Sequence, residues 1–194
     1  MKASEIKTKL ETRFPGIQIQ TVNEALFLKP EDLVRVSKFL KESDEFKMNY
    51  LSCITATDYL EFLESVYHLY SVDKKTGPLV LKVRTPRDNP KIPSLVPIFR
   101  GAEFQEREAY DMMGIAYEGH PDLRRIFMWE GFEGYPLRKD YLPEDEDVLE
   151  WEDVEWLERH GVKVPEEYKE FARQLKAAGK EVRAERPKPA GQWG

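Results

Sequence analysis

The chain has 194 residues, of which 41% are hydrophobic and 34% are charged, and its formal net charge at pH 7 is -6. This length suits one ordinary domain with an extension, and it allows a buried core without disulfides or metal ions. The negative charge argues against nucleic acid as the main partner, because phosphate binding needs clustered Lys and Arg. The single cysteine, Cys53, excludes an internal disulfide and any iron–sulfur cluster ligated by this chain's cysteines alone.

The sequence also lacks the signals of a membrane-spanning or exported chain. No stretch approaches the roughly 18 consecutive apolar residues that span a bilayer, and the first residues lack the apolar core of a signal peptide. We therefore expect an intracellular protein that meets a membrane only through other proteins. Many Glu and Lys residues beside few Asn, Gln and Cys are typical of proteins from hot environments.

The first part of the chain alternates predicted helices and strands. Ser4 is placed to cap a first helix, whose apolar stripe ends at Pro15-Gly16. A strand pair is predicted over 17–22, where Ile17 and Ile19 alternate with glutamines, and over the apolar run that resumes at 25–29. Pro30 then opens a second amphipathic helix, since proline is favoured at the first helical position.

Three strand-like runs follow, over 50–57, 63–72 and 78–85. Cys53 lies in the first run and is expected to be a buried structural thiol, whereas His68 lies in the second and is expected on a core or sheet face. This order of elements predicts an α+β fold, with a mainly antiparallel or mixed sheet and helices on one face. The segment 86–94 contains three prolines and is predicted to be a stiff connector, neither regular helix nor central strand.

A charged helix is predicted over 101–113. It would place Glu103, Arg107 and Asp111 in one row, and Gly114 would end it in the left-handed conformation. The row is compatible with a plain surface ladder of ion pairs. A catalytic alternative pairs Glu106 or Glu108 with His120 as general acid and base, but no phosphate loop, nucleophile elbow, metalloprotease motif or dinucleotide motif accompanies them.

Two constrained loops follow the helix. Gly119 and Pro121 predict a turn around His120, and Asp122 is placed to cap a helical turn over 123–126. The segment 134–141 then combines Gly and Pro with two cations, one anion and flanking tyrosines, in the residues Arg138, Lys139, Asp140, Tyr135 and Tyr141. Arg and Tyr are residue types that anchor protein interfaces, so these loops favour recognition over proton transfer.

After residue 141 the composition changes. Nine of the fifteen residues from 144 to 158 are acidic, and Trp151 and Trp156 lie among them. A helix is predicted over 166–178, and the last residues resemble a tail. The sequence therefore predicts an α+β domain over 1–141 and a charged C-terminal arm with short helices over 142–194, with the tryptophans packed on the core or on a partner.

The segments EREAYDMMGIAYEGHPDLRRIF and GFEGYPLRKDY, over 106–127 and 131–141, resemble the signature of the 30-kilodalton subunit family of respiratory complex I, the NADH:quinone oxidoreductase. This resemblance implies a non-catalytic peripheral-arm subunit of a membrane-associated, ion-pumping complex, on the cytoplasmic side of the cell membrane. It also implies no cofactor in this chain, iron–sulfur clusters in partner subunits, and docking on the hydrogenase-like large subunit. The signature falls on Glu106, Arg107, Glu108, Asp111, Gly114, His120, Pro121, Asp122, Arg124 and Arg125.

The resemblance assigns roles to these residues. Glu106, Arg107, Glu108 and Asp111 are expected to position the helix, whereas the partner contacts are expected from His120, Arg124, Arg125, Arg138 and Lys139, with Asp122 and Asp140 in the same scaffold. Tyr135 stands where many family members have histidine. An alternative is therefore the equivalent subunit of a ferredoxin-dependent membrane-bound hydrogenase or sulfur reductase.

Overall fold

A computed structural model describes residues 2–129, 131–141 and 151–178. The chain divides into two units, 1–138 and 139–194, and each is described by itself. The helices of the first unit are α1 (Ala3–Arg13), α2 (Pro30–Glu42) and α3 (Ala102–Met113). Its strands are β1 (Gln20–Val22), β2 (Ala25–Leu28), β3 (Tyr50–Asp58), β4 (Phe62–Ser71), β5 (Thr76–Pro86), β6 (Lys91–Pro93) and β7 (Ala116–Glu118).

Five strands form a mixed sheet in the order β1-β2-β5-β4-β3. Strand β2 runs parallel to β5, and the other neighbours are antiparallel. Strands β6 and β7 form a separate parallel pair. The predicted α+β class with a mixed sheet is confirmed.

One face of the sheet carries the core. The paired residues Leu26, Leu81, Tyr67 and Ile54 form a buried row across four strands. Successive strand residues point to opposite faces, so the helices cover the face that carries this row. The core side chains contributed by the helices are Ala3, Ile6, Leu10, Leu33, Val36, Leu40, Ala102 and Ala109.

Two local predictions need correction, and one is refined. Helix α1 begins at Ala3 rather than after Ser4, because the Ala3 N–H donates to Glu24 Oε2 at 2.9 Å from the β1–β2 turn. The connector 86–94 contains no helix and no central strand, as predicted, but it includes the short strand β6, which tolerates prolines because it belongs to a two-stranded sheet. Cys53 is half-buried rather than buried. His68 is half-buried on the sheet, as predicted.

The second unit contains α4 (Trp151–Arg159) and α5 (Glu166–Ala178), and the predicted helix over 166–178 is confirmed. Its small core is formed by Val154, Leu157, Val164 and Ala172, and both Trp151 and Trp156 pack against it. The acidic segment before α4 and the tail after α5 lie outside the described residues. Within the described ranges, no helix is long and apolar enough to cross a membrane.

Candidate functional site: a loop held on helix α3

Helix α3 has the predicted bounds, and Gly114 ends it with φ +76°. Three of its ionisable side chains, Glu106, Arg107 and Asp111, are buried. Burial of a charge is unfavourable unless polar partners replace the lost water. The contacts of these three side chains therefore define the site.

Asp111 binds the backbone of the loop that crosses the end of α3. Its Oδ2 accepts hydrogen bonds from the N–H groups of Ile126, Phe127 and Met128 at 2.9, 2.7 and 3.0 Å. Its Oδ1 accepts one from Arg125 Nη1 at 3.0 Å. Burial acts to raise the pKa of Asp111, but these backbone donors and Arg125 outweigh it and lower the pKa. Asp111 is therefore held as a carboxylate.

Arg107 binds the same loop through carbonyl groups. Its Nε donates to Arg124 O at 3.0 Å and its Nη2 donates to Arg125 O at 3.3 Å, while Asp122 Oδ2 lies 3.8 Å from Nη1. The predicted ladder from Glu103 through Arg107 to Asp111 is therefore wrong in its partners. The loop folds over the helix, and its groups bind Arg107 and Asp111. These two buried charges would otherwise pair with each other along the helix.

This arrangement also explains why the helical turn predicted over 123–126 does not form. A turn of that kind would pair its own carbonyl and N–H groups. Here Arg107 binds the carbonyls of residues 124 and 125, and Asp111 binds the next three N–H groups. Asp122 instead accepts hydrogen bonds from Arg124 Nε at 3.1 and 2.9 Å. The Arg124 hydrogen bond lowers the pKa of Asp122.

Glu106 faces the opposite side of α3, toward the core. Its carboxylate accepts hydrogen bonds from Ser94 Oγ at 2.6 Å and from the Leu95 N–H at 2.7 Å. Burial raises its pKa to about 7 despite these two donors. Glu106 therefore joins α3 to the segment after β6, and it takes no part in the loop contacts.

The catalytic pairing of Glu108 with His120 receives no support from their contacts. Glu108 is exposed. His120 Nε2 lies 2.9 Å from Glu103 O, and its Nδ1 accepts a hydrogen bond from the Asp122 N–H at 3.0 Å. In the described parts of the chain, both ring nitrogens thus have backbone partners, so His120 closes the turn.

The second constrained loop packs on the carboxyl end of α3. Arg138 Nε donates to Met113 O at 2.7 Å, and Arg125 Nη2 donates to Gly134 O at 2.9 Å. A side chain on Gly114 would lie 2.5 Å from the Tyr135 ring, so the absence of a Cβ permits this packing. Lys139 and Asp140 belong to the second unit, where Lys139 Nζ lies 5.2 Å from the Trp156 ring centroid.

Helix α3 and the two loops packed on it expose large apolar side chains. Phe104, Phe127, Trp129 and Leu137 are 64%, 60%, 68% and 58% exposed, and Trp129 packs edge-on against Phe132 at 4.7 Å. We call these four residues the apolar surface. The sequence patterns did not predict it, although Phe127 and Trp129 stand in the apolar run IFMW that follows two arginines, and exposed large apolar residues are a signal for binding.

The fold and this site define an α+β domain that uses buried charges to shape a loop and presents apolar side chains on it. The chain belongs to the family described as respiratory-chain NADH dehydrogenase, 30 Kd subunit, whose model matches residues 26–147. The resemblance found in the sequence is thereby confirmed.

Individual relatives agree with this family. The chain is 47% identical over 115 residues to the C 2 subunit of the NADH-quinone oxidoreductase of Rhizobium etli, and the match covers 58% of this chain but only 60% of that protein's length. It is 46% identical over 143 residues to the J subunit of the chloroplastic NAD(P)H-quinone oxidoreductase of Acorus calamus, covering 71% of this chain and 87% of that one.

A solved structure shares the fold. It is a chain from the membrane-bound sulfane sulfur reductase, an archaeal respiratory membrane complex, with a TM-score of 0.59 and 24% identity. The match covers 83% of this chain and 92% of that chain.

Proposed function

We propose that this protein is a non-catalytic peripheral-arm subunit of a membrane-associated, ion-pumping oxidoreductase of the NADH:quinone type. It has no cofactor of its own, and its partners are the hydrogenase-like large subunit and the subunits that carry iron–sulfur clusters. It lies on the cytoplasmic side of the cell membrane and reaches the membrane only through those partners. The names of the relatives support the class of complex.

The observation that carries the docking role is the apolar surface, in which Phe127 and Trp129 belong to the loop that Arg107 and Asp111 hold on α3. Nine large apolar side chains of the described residues are exposed, and four of them lie on α3 or the loops packed on it. An ordered loop loses little conformational entropy on binding, so burial of these side chains translates into affinity. Tryptophan at the centre of an interface commonly contributes about 2 kcal/mol or more.

The charged residues divide into two roles. Arg107, Asp111 and Arg125 hold the loop, because their charged groups are directed to α3 and to loop backbone. Glu108 and Arg124 have exposed side chains, so they are accessible to select the partner's charges.

The test is recovery of the large subunit with a tagged full-length chain in its native host. Trp129→Ala is expected to reduce recovery at least tenfold, whereas Val72→Ala, which truncates a side chain that is 62% exposed at the β4–β5 turn, is expected to leave it unchanged. Equal recovery with both variants and the unaltered chain would refute docking through this surface.

The equivalent subunit of a ferredoxin-dependent hydrogenase or sulfur reductase is the second candidate. Tyr135 favours it as a departure from the histidine of many family members, and here the centroid of the tyrosine ring lies 4.5 Å from the Arg138 guanidinium carbon. Mass spectrometry of the intact native assembly separates the two. NADH-binding subunits in the assembly would select the first candidate, and hydrogenase or sulfur reductase subunits would select the second.

A further inference from the structure

Glu106 differs from the other buried acids in its charge partners. Four buried carboxylates pair with a cation: Asp32 with Arg35, Asp58 with Arg87, Glu64 with Lys82 and Arg84, and Asp111 with Arg125. Among the described residues, no Lys, Arg or His forms a salt bridge with Glu106, and its hydrogen-bond partners there are the neutral donors Ser94 and Leu95. A buried carboxylate without a cation favours its protonated form.

The groups that surround Glu106 do not supply a positive charge. Tyr117 of β7 and Tyr67 of β4 face it, and both are buried; Tyr117 shares a hydrogen bond of 2.9 Å with Ser65. Burial raises the pKa of both tyrosines, and Glu106 raises it further, so they remain neutral. On its own helix, Arg107 is directed to the loop carbonyls.

Strand β3 also packs against α3. Its inward side chains are mostly apolar, as in Leu51 and Ile54, and the acid at its end, Asp58, is paired with Arg87. Glu106 therefore lies in a cluster of neutral hydroxyl and backbone groups, enclosed by apolar side chains.

We propose that Glu106 is a proton-responsive anchor that holds α3 to the segment after β6, and that it holds α3 more firmly when the carboxyl is protonated. The proton comes from bulk water and binds Oε2. The Oε2–H group then donates to Ser94 Oγ, which already accepts the Val96 N–H at 3.1 Å. The hydroxyl group of Ser94 then no longer donates a hydrogen bond to Glu106, while Glu106 Oε1 continues to accept one from the Leu95 N–H.

The direction of the pH effect follows from the pKa of Glu106, which rises from 4.5 to about 7 on folding. Below pH 4.5 the carboxyl is protonated in both the folded and the unfolded chain. Between pH 4.5 and about 7 only the unfolded chain releases the proton, so stability falls as pH rises, and above about 7 the full loss is present. A shift of this size changes the unfolding equilibrium constant by up to about 300-fold.

The consequence for docking rests on the proposed function. Helix α3 carries Arg107 and Asp111 on its other side, and these residues hold the loop that presents the apolar surface. An α3 that is less firmly anchored at higher pH presents this loop less rigidly. Affinity for the large subunit is therefore expected to fall as pH rises from 6 to 8.

The direct test is carbon-13 NMR of the full-length chain with labelled glutamate carboxyl carbons. One carboxyl signal is expected to titrate with a midpoint near pH 7, and it should be absent in Glu106→Gln. Ser94→Ala removes the hydroxyl that pairs with the carboxyl in both protonation states and should shift the midpoint. A Glu106 midpoint below pH 5, or one unchanged by Ser94→Ala, would overturn the proposal even if the glutamine variant does not fold.

The second measurement is urea unfolding of the full-length chain between pH 4.5 and 8. Glu106→Gln is expected to remove a fall in stability that the unaltered chain and Glu108→Gln, an exposed acid on the same helix, both retain. Identical pH profiles for all three would overturn the proposal. Because both measurements use the chain without partners, their outcome is independent of the Trp129→Ala recovery test of docking.

Discussion

Replacement of Asp111 by asparagine tests whether one buried carboxylate holds the loop on α3. Asparagine keeps the size of the side chain but offers one oxygen where the carboxylate uses two. If that oxygen accepts the three N–H groups of residues 126–128, the NH₂ group faces Arg125 Nη1, and two donors oppose each other. Removal of one member of a buried ion pair typically costs about 3 to 5 kcal/mol, so Asp111→Asn should destabilise the loop by this amount.

Hydrogen exchange at the amides of Ile126, Phe127 and Met128 measures the effect where it arises. A loss of about 3 kcal/mol corresponds to roughly 150-fold faster exchange through local opening. Urea unfolding shows how much of the loss reaches the whole domain. The matched control is Asp122→Asn, which removes a carboxylate whose side chain is 47% exposed and is expected to leave these amides protected. Similar exchange rates in the two variants would refute the role given to Asp111.

The same substitution has a pH signature. The pKa of Asp111 is lowered on folding, so the stability it contributes is present above its unfolded pKa and is lost as pH falls through the folded pKa. The chain should therefore lose stability below about pH 4. Asp111→Asn should show a smaller loss over that range, whereas an unchanged acid profile in urea unfolding would contradict the assignment.

Three further changes probe other parts of the molecule. Gly114→Ala places a Cβ at φ +76° and 2.5 Å from the Tyr135 ring, so thermal unfolding should show a loss of about 2 kcal/mol or more, against about 1 kcal/mol for Gly119→Ala, which has φ +83° and open space. Arg107→Ala leaves two loop carbonyls without their donor, at about 1 to 3 kcal/mol each, and recovery of the native complex should fall with it; full recovery would refute this. Leu157→Ala should cost the second unit about 2 to 4 kcal/mol, and circular dichroism should show a loss of helical signal; an unchanged helical signal and unchanged stability would contradict the core assigned to α4 and α5.

The secondary structure that the sequence predicted well is governed by local chemistry. The bounds of α3 and the left-handed Gly114 follow from helix signals within a few residues, and so do the bounds of α5. The hydrogen-bond and ion-pair partners of the charged side chains were predicted less well. Arg107 and Asp111 are spaced for an ion-pair ladder along the helix, but their partners lie on residues 122–128, brought there by a turn around His120.

Burial was the other property that local patterns did not reveal. Glu106, Arg107 and Glu108 are consecutive charged residues, and periodicity alone does not say which of them points to the core. The structure buries Glu106 under the segment after β6 and leaves Glu108 exposed. That outcome depends on where Ser94 and Leu95 lie, which is a long-range feature of the fold.

Most contacts of Arg107 and Asp111 with the loop are to its main chain, and the exceptions are the ion pairs of Asp111 with Arg125 and of Arg107 with Asp122. Arg107 binds carbonyl groups at positions 124 and 125, and the Oδ2 of Asp111 binds N–H groups at positions 126 to 128, groups that every amino acid except proline provides. Evolution is therefore free to exchange the outward side chains at Phe127 and Trp129 without dismantling the curve of the chain beneath them. The same main-chain contacts would hold a loop that carries a different apolar surface.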